Sequence, residues 1–281
     1  MTVSASSVSH PLANLSGTIL LAGAGKMGGA MLEGWLALGV EPRHIAVLEP
    51  QPSPEITALA SRGLALNPAP GVAGEVAAAL VAVKPQVAPE VLPSLTPYLG
   101  ASTVVVSIMA GRTLGFLARA FPRAALVRTM PNLPAAIGRG ITVAMPNAQV
   151  TARQRELVHA LLSAVGAVEW IDDEALMDAV VAVSGSGPAY VFLLAEAMAK
   201  AGSAAGLPPA LAAKLARATV AGAGELLERS PLDAATLRQN VTSPGGTTAA
   251  ALEVLMGENG LEPLLQRAIG AAARRSRELA G

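Results

Sequence analysis

The 281-residue sequence contains no cysteine, which excludes disulfides, thiolate-bound zinc and a cysteine nucleophile. Its three histidines, His10, His44 and His159, are scattered along the chain, so no histidine metal cluster is expected. Charge is sparse at 14%, and Lys+Arg 20 balances Asp+Glu 20, which leaves no basic face of the kind nucleic acid requires. Long apolar runs are also missing. The longest, 76–83, is closed off by Glu75 and Lys84 and falls far short of the roughly 20 residues of a membrane span. Residues 1–16 are rich in serine and have neither the basic start nor the apolar middle of a signal peptide. They read as a disordered leader on a soluble, cytoplasmic protein. Hydrophobic residues nevertheless make up 52% of the chain, so the apolar surplus must enter buried strands, packed helices and a subunit interface.

What is present is organised around one stretch. The apolar run Thr18-Ile19-Leu20-Leu21-Ala22 reads as a buried strand, and it breaks into Gly23-Ala24-Gly25-Lys26-Met27-Gly28. An amphipathic segment follows, with Met27, Met31, Leu32, Trp35, Leu36 and Leu38 at roughly helical spacing. Strand, glycine-rich turn and helix in that order form a dinucleotide-binding fingerprint. Gly23 permits the tight turn, Gly25 lets backbone approach a pyrophosphate, and Gly28 lets the helix pack close to the strand. The free N–H groups and positive end of that helix then hold phosphate. Glu49 ends the next predicted strand 49 − 28 = 21 residues past Gly28, where a carboxylate usually meets the adenosine ribose hydroxyls. A surface glutamate at a strand end is the plainer alternative. Lys84, followed by Pro85, ends the 76–83 run and is placed in the ligand crevice of an open α/β sheet, or equally as a solvated strand-end lysine.

Further strands are predicted at 44–48, 64–66, 103–108, 125–128, 141–144 and 168–170. Helices between them include 152–165, capped by Thr151. This alternation predicts an α/β fold, an N-terminal Rossmann-type, doubly wound, mostly parallel sheet over 17–171. From 172 to 281 the pattern turns wholly helical: 172–183, 188–204, 208–229, 233–239, 247–256 and 261–279. Two irregular stretches interrupt these helices, Ser184-Gly185-Ser186-Gly187-Pro188-Ala189-Tyr190 and Thr242-Ser243-Pro244-Gly245-Gly246-Thr247-Thr248. Each puts glycine and hydroxyl residues before a helix start, where free backbone N–H groups can hold an anion such as a carboxylate; ordinary Ser or Thr capping competes.

These motifs in this order resemble the pyrroline-5-carboxylate reductase family from about Gly17 to Leu279. The resemblance implies reduction of 1-pyrroline-5-carboxylate to L-proline by a nicotinamide cofactor, NADPH or NADH. It implies that Gly23, Ala24, Gly25, Lys26, Met27 and Gly28 bind that cofactor, with Ala82, Val83, Lys84 and Pro85 lining its cleft. Ser107, Met109 and Ala110 would lie nearer the nicotinamide, and Asn240 against the cofactor. Gly245, Gly246, Thr247 and Thr248 would bind the substrate carboxylate, the Thr248 hydroxyl would reach the ring nitrogen, and Glu174 matches an acidic position near the substrate. The helical domain would be a dimerisation domain, each active site drawing on two subunits. Glu49 departs from family members that prefer the phosphorylated cofactor, which favours NADH, while Asn67-Pro68-Ala69-Pro70 lacks a clean match to the family's cofactor-contacting asparagine. Two other readings stand beside this one. A 3-hydroxyacid dehydrogenase would need a lysine early in the first long helix of the second domain, where Lys200 stands near the far end. A dinucleotide sensor would have no use for the Ser-Pro-Gly-Gly-Thr-Thr turn.

Overall fold

The computed structural model describes Leu12 and residues 16–280, so the predicted leader lies, apart from Leu12 and Ser16, outside the described residues. By its internal contacts the chain forms two units, one running to Gly185 and taking in the residues from Ser276 on, the other Ser186–Arg275.

The first unit is built on an eight-stranded sheet: β1 Thr18–Ala22, β2 Ile45–Leu48, β3 Ala65–Leu66, β4 Val76–Val81, β5 Val104–Ser107, β6 Ala125–Met130, β7 Gly140–Pro146 and β8 Gly166–Trp170. Their spatial order is β3-β2-β1-β4-β5-β6-β7-β8. The order reverses between β1 and β4, the switch point at which open α/β sheets bind ligands. Neighbours are parallel except β6 and β7, which run antiparallel with Thr129 opposite Ala144. The link 131–139 between them holds just a 3₁₀ turn, Leu133–Ile137, too short for the crossover that a parallel pair needs. The central strands are buried on both faces, as their unbroken Val, Ala and Leu runs require.

Helices cover both faces. On one, α1 (Lys26–Ala37) and α5 (Ala152–Ser163) pack together, and the fully buried Trp35 indole donates its N–H to the Leu161 carbonyl at 2.9 Å. Thr151 caps α5 in a reciprocal capping box with Gln154. Leu12 is buried in the core on this face. On the other face, α3 (Ala88–Leu95) and α4 (Leu114–Ala120) bury Leu92, Leu95 and Leu117. The short α2 (Pro54–Ala60), capped by Ser53, packs Ile56 into the core on the α1 side.

A 3₁₀ turn (Glu174–Leu176), the short α6 (Met177–Val180) and a π-helical turn (Val181–Gly185) finish this unit. The predicted boundary at 171/172 follows the last strand, whereas contacts run on to Gly185. The reason is long-range bonding: Glu174 is held by Arg128, and the Asp178 carboxylate accepts from the Ser276 hydroxyl at 2.6 Å.

The second unit is helical: α7 Gly187–Ala204, α8 Pro209–Arg229, α9 Ala234–Asn240, α10 Thr247–Leu255 and most of α11 Leu261–Ala280. A short link joins α7 to α8, and Gly202 of α7 lies against Ala212 of α8, an added Cβ standing 3.4 Å from that of the alanine. Ala212 and Ala216 are buried, but α7, α9 and α10 bury none of their side chains in the single chain. Phe192, Leu193, Leu215, Leu226 and Val254 stand exposed. A helical layer with so little core of its own requires a covering surface. The stretch Glu174–Ala204 is also long and apolar enough, by length and composition alone, to cross a membrane. The 76–83 criterion missed this stretch because Ser and Gly break its apolar runs without breaking the helix.

Candidate active site

The carboxyl ends of β2, β1, β4 and β5, neighbours in the sheet, carry the sequence-predicted cofactor residues to one place. The glycine loop leaves β1, with Gly23 at φ 90°, a left-handed conformation that glycine adopts without strain. An added Cβ at Gly23 would meet the Ala82 backbone at 2.9 Å, which shows how closely this loop abuts the end of β4. At Gly28 an added Cβ would overlap the Gly23 carbonyl oxygen, so this glycine serves the packing of α1 on its own loop. Gly25 is different. Its φ of −68° is open to any residue, and an added Cβ would meet nothing within 4 Å. Nothing inside the protein requires a glycine there, which fits a position kept bare for a ligand. The start of α1 has no side-chain cap and no acidic residue in its first turn, so the Lys26, Met27 and Gly28 N–H groups face the loop mouth without a side-chain acceptor.

Glu49 follows β2. Its Oε2 accepts from the Ala24 N–H of the glycine loop at 2.9 Å, and its Oε1 accepts from the Gln51 N–H at 3.1 Å. The carboxylate is thereby held at the loop rather than left free at a strand end. Next along, Ala82, Val83, Lys84 and Pro85 leave β4, Lys84 being exposed. The Arg112 guanidinium clamps this loop, donating from Nε at 3.2 Å and from an Nη at 2.6 Å to the Pro85 carbonyl, and lies over the Phe116 ring. Sequence reasoning missed Arg112, because nothing local ties it to Pro85. Ser107 closes β5 fully buried, its carbonyl accepting from the Thr129 hydroxyl and its Oγ from the Met109 N–H. Met109 is buried as well, whereas Ala110 is exposed.

Glu174 is already engaged within the first unit. Its Oε1 accepts from the Arg128 guanidinium at 2.7 Å and from the Leu114 N–H at 2.8 Å. Arg128, within β6, is buried, so this carboxylate neutralises an interior cation and caps the first turn of α4. That occupation gives Glu174 a structural task within the sheet unit.

In the helical unit, Asn240 is the exposed last residue of α9. Gly245 sits at φ 69°, and Gly246 is the N-cap of α10 without any side-chain cap bond. Glycine has no side chain to cap the helix, so the first-turn N–H groups of α10 offer an anion site. The other candidate turn is less open than its glycines suggest, since Val181–Gly185 is π-helical and α7 starts at Gly187. Lys200, near the far end of α7, is an exposed partner of Glu196 at 2.6 Å. Among the described residues no group of three or more His, Asp or Glu could hold a metal ion.

Comparison with known proteins agrees with this arrangement. Residues 174–279 match the family model of pyrroline-5-carboxylate reductase dimerisation, and residues 18–111 that of NADP oxidoreductase, coenzyme F420-dependent. A pyrroline-5-carboxylate reductase of Pseudomonas aeruginosa is 42% identical over 267 residues, covering 93% of this chain and 96% of that one. The structure of such a reductase from Coxiella burnetii superposes with a TM-score of 0.87 at 31% identity, covering 95% of this chain and all of the other. That of a Plasmodium falciparum pyrroline carboxylate reductase with NADP bound gives 0.77 at 28% identity over 94% and 98% of the two chains.

Proposed function

Because this chain belongs to the pyrroline-5-carboxylate reductase family, it reduces 1-pyrroline-5-carboxylate to L-proline with a nicotinamide cofactor, and we propose that it favours NADH over NADPH. The single observation behind the preference is the Glu49 carboxylate anchored on the Ala24 N–H. A ribose with free hydroxyls finds an acceptor there. A 2′-phosphate finds a like charge, and residues 50–54 contain no Lys or Arg to offset it. At about 4 Å and an effective dielectric near 20 such a pair repels by about 4 kcal/mol. Swinging the carboxylate away relieves this only by giving up two backbone hydrogen bonds, so a preference of about tenfold, or about 1.4 kcal/mol, is a conservative expectation.

The bare Gly25 position and the uncapped start of α1 suit the pyrophosphate, with Ala82–Pro85 and Ser107–Ala110 leading toward the nicotinamide end. The cofactor, when bound, supplies the hydride that the imine carbon accepts. The chain's own task is placement. The amides of Gly246, Thr247 and Thr248 hold the substrate carboxylate, and the Thr248 hydroxyl bonds the ring nitrogen, which takes up the proton. An iminium carbon is already electrophilic, so orientation against the donor supplies most of the catalysis, and no catalytic dyad is required. The dimerisation model over 174–279 supports self-association; we extend this to a site completed by Asn240 and the 245–248 turn of a partner subunit, in the cytoplasm.

The test is oxidation of NADH and of NADPH by the purified protein on adding pyrroline-5-carboxylate. NADH should give the higher kcat/KM, and Glu49→Ser with Gln51→Arg should shift preference toward NADPH. Tighter use of NADPH by the wild type would refute the role given to Glu49.

A further inference from the structure

Glu49 can select a cofactor only if the chain after β2 is held still, and the structure assigns that task to Asn67, as a positioning residue that makes no contact with the cofactor itself. This inference rests on the reading of Glu49 given above. Asn67 follows β3, the edge strand paired with β2 through Ala46 opposite Ala65 and Val47 opposite Leu66. Its backbone N–H continues that pairing, donating to the Val47 carbonyl at 2.7 Å. Then the side chain takes over from the main chain. The Asn67 Oδ1 accepts from the Glu49 N–H at 2.9 Å, and the Nδ2 donates to the Glu49 carbonyl, also at 2.9 Å. A carboxamide has the donor and acceptor of a peptide group, so it acts here as one more peptide of the strand alongside β2.

The backbone pays attention to this arrangement in its conformation. Asn67 is the one non-glycine residue at positive φ among the described residues, at 46°, a conformation asparagine tolerates better than most side chains. Directly afterwards, the Tyr98 hydroxyl donates to the Pro68 carbonyl at 2.8 Å and fixes the chain as it leaves. Both peptide groups of Glu49 are thereby tied to a segment that is itself tied down, and its carboxylate is aimed at Ala24. Without the carboxamide pair, the chain just past β2 would lose its partner on the β3 side, and Glu49 would sample positions from which the ribose is out of reach.

Asn67→Gly tests this cleanly, because glycine adopts φ 46° freely and the substitution deletes just the carboxamide. Losing two exposed hydrogen bonds should raise KM for NADH by about five- to tenfold. The kcat should change little, and the NADH-to-NADPH ratio of kcat/KM should fall toward that of Glu49→Ser. Asn67→Asp keeps the acceptor for the Glu49 N–H and loses the donor, so it should fall between, and it serves if the glycine variant does not fold. In a Glu49→Ser background, Asn67→Gly should have no further effect on the ratio. An effect that persists there would mean that Asn67 touches the cofactor directly and would overturn the inference. So would an unchanged ratio in Asn67→Gly alongside a shifted one in Glu49→Ser. If Glu49→Ser itself leaves the ratio unchanged, the reading of Glu49 has failed first.

Discussion

Replacing Glu174 by alanine separates a structural task from a substrate contact. The Arg128 side chain is 6% exposed and that of Glu174 31%, so the substitution leaves an interior guanidinium without its partner while water reaches the vacated edge. Breaking a buried pair by removing one member costs about 3–5 kcal/mol, and water access on the Glu174 side lowers this toward about 2. The Leu114 N–H at the start of α4 loses its acceptor as well, adding about 1 kcal/mol. The sum, about 3–4 kcal/mol, corresponds to a fall in Tm of roughly 6–16 °C at 2–4 °C per kcal/mol for a chain of this size. Glu174→Gln retains an acceptor for the Leu114 N–H but not the charge, and should lose about half as much. Thermal unfolding followed by circular dichroism reads the effect, with steady-state kinetics run below the transition. KM for pyrroline-5-carboxylate should stay within about twofold of wild type, a difference of under 0.5 kcal/mol. An alanine variant that melts with the wild type while its KM for pyrroline-5-carboxylate rises about tenfold would restore Glu174 to the substrate and refute this reasoning.

Three further outcomes are expected. Gly25→Ala should fold and melt like the wild type yet weaken NADH binding by about tenfold or more, whereas Gly28→Ala should lower Tm, since its Cβ overlaps the Gly23 carbonyl; calorimetric titration and melting curves distinguish them, and equal melting of both would contradict the assignment. Thr248→Ala should lower kcat by about 1–3 kcal/mol of lost transition-state contact, and turnover equal to wild type would remove Thr248 from the mechanism. Sedimentation at micromolar concentration should find a dimer or larger assembly, because α7, α9 and α10 bury no side chain in the single chain; a stable, active monomer would contradict it.

The sequence by itself determined the elements and their order. Period-two and period-3.6 patterning, with glycine and proline as punctuation, are local signals, so β1, the glycine loop and α1 were legible from residues 18–37, and the two-part architecture from the change of pattern after β8. The glycine loop, Glu49 and the end of β4 could be placed together because the carboxyl ends of parallel strands in a doubly wound sheet share one side. The motif had already assigned Gly25 to the phosphate and Gly28 to helix packing; tertiary structure supplied the surroundings, empty space at Gly25 and the Gly23 carbonyl against Gly28. It also decided the partners of single side chains across long separations: Glu174 with Arg128, Arg112 with Pro85, Asn67 with Glu49. Such pairings follow from how strands are ordered and where loops return, and no periodicity records them.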